Sequence, residues 1–218
     1  MILEGKIINF LGDSITQGYG TTPGNIYLEI IAEKYGLKAA NNFGVSGTRI
    51  ARQKKPTADA PEMDEYFTQR AKKMPKDADA VVVFGGTNDY GHGDAPLGEF
   101  SDRTPDTFYG AMHCLCDYLI NKFHGKPIVF MTPLHRLNED NPTGDNKPQP
   151  VAPLSVYVDI IKEVARYYSL PVCDLFANSG LQPNLGVIKE NYAPDGLHPN
   201  EAGHRIIAER LANFLLSL

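Results

Sequence analysis

The amino-acid sequence predicts an α/β fold, a three-layer α/β/α sandwich in which a five-stranded parallel sheet lies between two layers of helices. Short apolar runs alternate with amphipathic helical patterns from one end of the chain to the other. The short runs are almost continuously apolar, as expected for strands that are covered on both faces. Residues 1–218 contain no internal repeat and no linker-like composition, so we expect a single domain.

Five segments have the composition of buried strands. The clearest is Ala80–Phe84, where three consecutive valines favour an extended backbone. Lys6–Leu11 is a short apolar run, and Ala39–Phe43 is a weaker one. Ile128–Met131 and Pro171–Asp174 complete the predicted sheet. Ligands of open α/β sheets bind at the carboxyl ends of the strands, so the loops that follow these segments are the place to look for chemistry.

Five further segments carry apolar residues at helical spacing. Helices are predicted over residues 26–34, 61–74, 105–123, 154–165 and 201–215. Thr104 and Pro105 resemble a helix start, with a hydroxyl cap followed by proline at the first helical position. The segment from Pro133 to Pro150 is long and polar, and such a loop in a compact domain is usually functional or mobile.

Composition excludes several classes of function. Apolar residues make up 42% of the chain, which is enough for a large core, and the net charge is −5. That charge gives no support for nucleic acid or an anionic membrane as the main partner. The longest apolar run is far shorter than the ~20 residues of a membrane-spanning helix, and no signal peptide is visible. We therefore expect a cytoplasmic protein with no membrane span.

The three cysteines predict neither a disulfide framework nor a metal site. Cys114 and Cys116 are two residues apart in a predicted helix and point to different faces, and Cys173 is remote in sequence. A zinc site would require more ligands at other spacings. Reduced thiols are the expectation.

The first candidate for chemistry is the turn that follows the first predicted strand. It has the sequence Gly12-Asp13-Ser14-Ile15-Thr16, so Ser14 lies at the carboxyl edge of the sheet near a helix start. Free N–H groups there suit a developing negative charge. The alternative is that Asp13, Ser14 or Thr16 only caps the helix.

A second candidate precedes the last helix. Asp195 lies three residues before His198, close enough in sequence to reach Nδ1 of the imidazole across one tight turn. The carboxylate would then fix the tautomer, and Nε2 would be free to accept a proton. The alternative is an ordinary turn in which Asp195 binds the local backbone.

Two glycine-containing turns follow the second and third strands. Asn42–Thr48 contains Gly47, whose backbone N–H a ligand can approach closely, and Gly85–Asp89 contains Asn88, whose amide can donate hydrogen bonds. Each turn alone has a simple structural interpretation. The fold, however, predicts that all four loops meet on one rim, and together they supply a nucleophile, oxyanion donors, a base and a group that orients the base.

The four segments together are similar to the sequence blocks of the SGNH hydrolases, also called GDSL-type lipases and esterases, and the resemblance spans residues 12–199. It implies that Ser14 is the nucleophile and that Asp195 and His198 complete a catalytic triad. It also implies that the N–H groups of Ser14 and Gly47 and the amide of Asn88 form the oxyanion hole.

The resemblance further implies a flavodoxin-like fold and no requirement for a metal or cofactor. One departure is visible, since the leucine of the family's name is replaced by Ile15, a conservative apolar change. We expect a serine esterase that acts on a small-molecule ester, with a short acyl group such as an O-acetyl group on a carbohydrate or another polar alcohol. The alternatives are a lysophospholipase or thioesterase, an inactive relative, and a flavodoxin-like binding module. The oligomeric state is not predicted.

Other residues near the predicted rim are candidates for substrate binding. These are Asp13, Arg49, Tyr90 and His135. We expect neither His92 nor His135 to pair with a carboxylate as His198 pairs with Asp195, so both rank below His198 as a base.

Two expectations concern residues outside the motifs. His113, His124 and His204 are expected on helices, at the surface or at the edge of the core. Arg49 belongs to a small basic cluster with Arg52, Lys54 and Lys55, which is expected to be a solvated helix face.

Overall fold

Five strands form one parallel sheet. The structure is a computed structural model that describes residues 1–57 and 59–218. The strands are β1 Ile7–Gly12, β2 Ala39–Gly44, β3 Ala80–Phe84, β4 Ile128–Met131 and β5 Val172–Cys173. Their order is β2-β1-β3-β4-β5, and all neighbouring strands are parallel. The predicted α/β fold with a five-stranded parallel sheet is confirmed.

Helices of very different lengths connect the strands. The long ones are α2 Tyr27–Tyr35, α5 Phe108–Lys122, α6 Leu154–Tyr167 and α9 Glu201–Ser217. The short ones are α1 Ser14–Gln17, α3 Phe67–Ala71, α4 Thr87–Gly91, α7 Leu175–Asn178 and α8 Gly186–Tyr192. Across the described residues, none of the helices combines the length and the apolar character needed to cross a lipid bilayer.

The two faces of the sheet contribute to two separate apolar cores. In β3, Val81 and Val83 join the core that includes residues of α3, α5 and α6. Ala80, Val82 and Phe84 join the core on the opposite face, which includes residues of α2 and α9. This alternation within a continuous apolar run explains why β3 carries no polar face.

Two predicted helices begin or end differently from the prediction. The segment 61–74 is a 3₁₀ turn, Pro61–Asp64, followed by the short α3, because Glu65 and Tyr66 adopt extended backbone between them. Helix α5 begins at Phe108, because the hydroxyl of Thr107 rather than Thr104 accepts a hydrogen bond from the backbone of Gly110.

The expectations for the remaining histidines and for the basic cluster were wrong in part. His113 and His204 are fully buried, and Nδ1 of His204 accepts a hydrogen bond from the backbone N–H of Tyr27. His124 is exposed in the turn that follows α5. The basic residues after Gly47 do not form a helix, and Arg49 is buried because it binds Asp64.

Candidate active site

Ser14 is the first residue of α1, directly after the turn that follows β1, and only 6% of its surface is exposed. Asp13 caps α1, since its carboxylate accepts a hydrogen bond from the backbone N–H of Ile15 at 3.0 Å. The turn is tight: a Cβ atom at Gly12 would lie 1.9 Å from Oγ1 of Thr16. The backbone therefore holds Ser14 at the carboxyl edge of the sheet.

The loop before α9 brings a histidine and a carboxylate to Ser14. Oγ of Ser14 lies 3.0 Å from Nε2 of His198, and Nδ1 of His198 lies 2.6 Å from Oδ2 of Asp195. A carboxylate only accepts, so Nδ1 carries the proton and Nε2 can accept one from the serine hydroxyl. The three side chains predicted from separate motifs are thus in direct hydrogen-bond contact.

Backbone hydrogen bonds fix the carboxylate of Asp195. Its Oδ1 accepts from the N–H of Leu197 at 2.8 Å and from the N–H of His198 at 2.7 Å. Partial burial opposes ionisation, but these bonds and the contact with the His198 ring outweigh it, so the pKa of Asp195 lies below its usual value. Asp195 is therefore a charged acceptor for His198 at neutral pH.

Tyr19 covers the imidazole of His198, a contact that the sequence analysis did not predict. The two ring centroids are 4.3 Å apart, and 59% of the surface of Tyr19 is exposed. Tyr19 lies between Gly18 and Gly20, directly after α1. The sequence feature that could have predicted this contact is an aromatic residue between two glycines, a few residues after Ser14.

The loop after β2 carries Gly47 next to the Ser14 turn. Gly47 has a φ of +74°, which favours glycine, and a Cβ atom there would lie 2.6 Å from the sulfur of Met63. The loop is fixed to the first turn because the backbone N–H of Val45 donates to Gly12 O at 3.1 Å and that of Ser46 to Oε1 of Gln17 at 2.6 Å.

Asn88 and Asp89 extend from the start of α4, after β3, to the loop that contains Gly47. Nδ2 of Asn88 donates to the backbone carbonyl of Thr48 at 3.1 Å. The carboxylate of Asp89 accepts from the backbone N–H groups of Ile50 and Ala51, each at 2.9 Å. Both side chains thus bind a different loop and not their own turn. The loops after β1, β2 and β3 are thereby joined at one rim.

Comparisons with known proteins agree with this architecture. The family model described as GDSL-like lipase/acylhydrolase matches residues 10–206. This protein belongs to the GDSL-like lipase/acylhydrolase family. The resemblance drawn from the motifs is confirmed, and the protein is a carboxylic ester hydrolase by family.

Solved structures similar to this family member cover almost the whole chain. A protein from Lactobacillus plantarum is 31% identical, with a TM-score of 0.84 and coverage of 98% of both chains. A lipase/acylhydrolase from Enterococcus faecalis is 21% identical, with a TM-score of 0.63 and coverage of 96% of this chain and 95% of the other. A member of the lipolytic protein G-D-S-L family from Veillonella parvula is 19% identical, with a TM-score of 0.63 and coverage of 97% and 98%. No curated protein matches the chain in sequence.

In this GDSL-type hydrolase, a buried arginine joins the first two loops of the site. Nη2 of Arg70 donates to the carbonyl of Gly12 at 2.8 Å and to the carbonyl of Phe43, and its Nη1 donates to Oγ1 of Thr48 at 2.7 Å. Arg70 is only 4% exposed. Burial lowers its pKa to about 10, with Asp13 opposing that shift, so it remains charged at neutral pH. The sequence carried no local signal for this role, because the partners are 22 to 58 residues away.

Three of the four candidate substrate contacts lie inside the protein. Asp13 is buried under the Ser14 turn, and Arg49 binds Asp64 at 2.7 Å. Tyr90 is fully buried, and its hydroxyl donates to the backbone of the loop that follows β4. These three residues have structural partners within the fold.

His135, the fourth candidate, is partly exposed and has an acidic partner. Its Nδ1 lies 2.9 Å from both carboxylate oxygens of Glu139, and its ring packs against Phe176 with centroids 3.7 Å apart. The expectation that His135 lacks a nearby carboxylate overlooked Glu139, which lies four residues after it rather than three before. Among the described residues, no group of three or more His, Cys, Asp or Glu side chains is placed to hold a metal ion.

We predict that Arg70→Met lowers the free energy of unfolding by about 3–5 kcal/mol, because three buried acceptors lose a charged donor at once. Arg70→Lys should lower it less, since an ammonium keeps the charge but lacks the planar fork. The control is Lys73→Met, which removes an exposed cation paired with Glu65 and should cost less than about 1 kcal/mol. Urea unfolding measures all three, and equal effects of Arg70→Met and Lys73→Met would contradict the assignment.

A second prediction concerns the pH dependence of stability. Burial raises the pKa of Asp13 to about 7, although the Ile15 N–H and the charge of Arg70 oppose the shift. In the unfolded chain Asp13 ionises near pH 4. Between these values the folded state holds the extra proton, so the contribution of Asp13 to stability falls as the pH rises through this window.

Asp13→Asn cannot titrate and keeps an oxygen that accepts from Ile15. The free energy of unfolding of this variant should therefore rise relative to the wild type, by up to about 4 kcal/mol, between about pH 4 and pH 8. Urea unfolding at a series of pH values measures this difference. A difference that shrinks over the same interval would contradict the raised pKa.

Proposed function

We propose that this protein is a serine esterase that cleaves carboxylic esters with Ser14 as nucleophile, His198 as general base and acid, and Asp195 as the group that orients His198. The observation that carries the proposal is the 3.0 Å contact between Oγ of Ser14 and Nε2 of His198. This distance is within reach for direct proton transfer. The matching 2.6 Å contact of Asp195 with Nδ1 sets the tautomer that the transfer requires.

The reaction proceeds in two acyl-transfer steps. As Oγ of Ser14 bonds to the ester carbonyl carbon, Nε2 of His198 takes the hydroxyl proton, and the carbonyl oxygen becomes an oxyanion. When the carbon–oxygen bond to the alcohol breaks, His198 returns the proton to the leaving oxygen. Water then attacks the acyl-serine with the same proton transfers, which releases the acid and restores Ser14.

The oxyanion is held by three donors from the first three loops. These are the backbone N–H groups of Ser14 and Gly47 and one hydrogen of the Asn88 amide. The N–H of Ser14 belongs to the first turn of α1, which has no intrahelical acceptor for it. Within the described residues, no hydrogen bond occupies the N–H of Gly47. The Asn88 amide carries two hydrogens, and the Thr48 carbonyl takes one, which leaves the other for the oxyanion.

A small recess favours a short acyl group. It has a volume of about 10 Å³ and is lined by Asp13 and Ile15, the chain neighbours of Ser14, together with Leu134 and Leu197. A volume of this size holds about one water molecule and thus suits a methyl group. The rim loops 90–103 and 134–150 are polar, which suits a polar alcohol such as a sugar. We therefore propose acetyl esters of polar alcohols as the substrate class.

The triad assignment predicts a large loss of activity in two variants. Ser14→Ala and Asp195→Asn should each lower kcat on p-nitrophenyl acetate by about 10³-fold or more, because the first lacks the nucleophile and the second loses the charged acceptor for His198. Asp77→Asn, in an exposed turn, is the control and should leave kcat unchanged. A fluorophosphonate should label the wild type and fail to label Ser14→Ala. Wild-type activity in Ser14→Ala would end the proposal.

The recess predicts selectivity for acyl length. On p-nitrophenyl acetate, butyrate and octanoate, kcat/KM should fall with chain length, and acetylated sugars should also be hydrolysed. Leu134→Ala should enlarge the recess and move the preference towards butyrate. Leu181→Ala is the matched control, because Leu181 is a buried leucine of the same core that does not line the recess. A wild-type preference for octanoate would favour the lysophospholipase and thioesterase alternatives.

A further inference from the structure

The proposed oxyanion hole requires a fixed orientation of the Asn88 amide. An amide rotated by half a turn would present Oδ1 instead of Nδ2 to the oxyanion and would repel it. Contact with the Thr48 carbonyl favours the productive orientation, because that oxygen accepts only from Nδ2. A second contact acts on the other end of the same amide.

His92 provides this second contact. Oδ1 of Asn88 lies 3.2 Å from Nε2 of His92, and Nδ1 of His92 lies 3.2 Å from Nη1 of Arg49. A guanidinium only donates, so Nδ1 of His92 must accept from Arg49. The imidazole then carries its hydrogen on Nε2 and donates it to Oδ1 of Asn88. Arg49 thereby selects the tautomer of His92, and that tautomer directs the amide of Asn88.

Arg49 is itself held in place. It is 3% exposed, its Nη2 donates to Oδ1 of Asp64 at 2.7 Å, and its Nη1 also donates to the carbonyl of Gly47 at 3.1 Å. The same guanidinium therefore contacts the backbone of Gly47 and, through His92, the side chain of Asn88. The contacts join two of the three proposed oxyanion donors.

We propose that His92 is a positioning residue: by donating from Nε2 to Asn88 while accepting from Arg49, it holds the Asn88 amide with Nδ2 towards the oxyanion. This inference rests on the proposed role of Asn88 as an oxyanion donor. The charged groups that act on His92 are Arg49, Asp145, Lys147 and Arg136. Desolvation and the charge of Arg49 keep the pKa of His92 below its usual value, so the ring stays neutral at neutral pH.

A double-mutant cycle tests the proposal on p-nitrophenyl acetate. Asn88→Ala should lower kcat by about 10²- to 10³-fold, as for the loss of an oxyanion donor. His92→Phe keeps a planar ring but cannot donate, and it should lower kcat about tenfold with KM unchanged, because the interaction acts on the transition state only. In the Asn88→Ala background, His92→Phe should change kcat less than twofold, since the amide it orients is gone.

A matched pair of variants separates the hydrogen bond from the shape of the ring. Gln at position 92 can accept from Arg49 and donate to Asn88, whereas Glu of the same size can only accept. His92→Gln should therefore recover most of the wild-type kcat, and His92→Glu should remain at or below the level of His92→Phe. This pair also serves if His92→Phe fails to fold, as judged by its circular dichroism spectrum.

The outcomes distinguish the two proposals. If Asn88→Ala keeps the wild-type kcat, the oxyanion role of Asn88 fails. If Asn88→Ala is impaired but His92→Phe costs the same in both backgrounds, or changes KM instead of kcat, His92 acts on substrate or on the fold, and the positioning role fails while the proposed function stands. Equal activity of His92→Gln and His92→Glu would also overturn it.

Discussion

The geometry of this site depends on one buried guanidinium. The carbonyl groups of Gly12 and Phe43 lie at the carboxyl ends of β1 and β2, where buried backbone oxygens need hydrogen-bond donors. Arg70 supplies them, because a planar fork with five N–H groups can donate to Gly12, to Phe43 and to the Thr48 hydroxyl at once. An apolar side chain of the same size would remove this charged donor from all three oxygens and leave the Gly12 carbonyl with the N–H of Val45. Ser14 follows Gly12 by two residues, so the contacts of Arg70 fix the position of the proposed nucleophile relative to the loop after β2.

A second charged group joins the third loop to the second. Asp89 directs its carboxylate to the N–H groups of Ile50 and Ala51, just after Gly47, although burial raises its pKa to about 6. Buried charged side chains with backbone partners therefore join all three loops. Donors held in this way need little reorganisation when negative charge develops, which is the main requirement of an oxyanion hole. Burying these charged groups at the sheet edge thus costs desolvation free energy, but it holds the proposed oxyanion donors in place before the reaction.

The sequence predicted the strands and the motifs much better than the contacts between loops. Ala80–Phe84 was predicted with its observed bounds, because a run of valines has few alternatives to a buried strand. The contact of His198 with Ser14 followed from the fold, since parallel strands place their following loops on one edge. The sequence did not predict the burial of Arg70. A basic side chain normally remains in solvent, and it is buried here only because the fold brings its hydrogen-bond acceptors together. The segment 61–74 misled for a related reason: its apolar spacing is helical, but the backbone N–H of Phe67 donates to the carbonyl of Arg49 and the chain is extended just before it.

The long loop after β4 is attached to the element that carries Asn88. The hydroxyl of Tyr90 donates to the backbone carbonyls of Asn138 and Asn141, and Nζ of Lys147 donates to the carbonyl of Asp89 at 2.7 Å. Because α4 holds Asn88 at its start and Tyr90 near its end, the polar rim and the proposed oxyanion donor share one support. A displacement of the loop that breaks these bonds would therefore also move Asn88, because Asn88 and Tyr90 lie in the same short helix. The proposed selection of the alcohol and the proposed stabilisation of the oxyanion are in this way coupled by α4, so a substitution in the loop can affect kcat as well as KM.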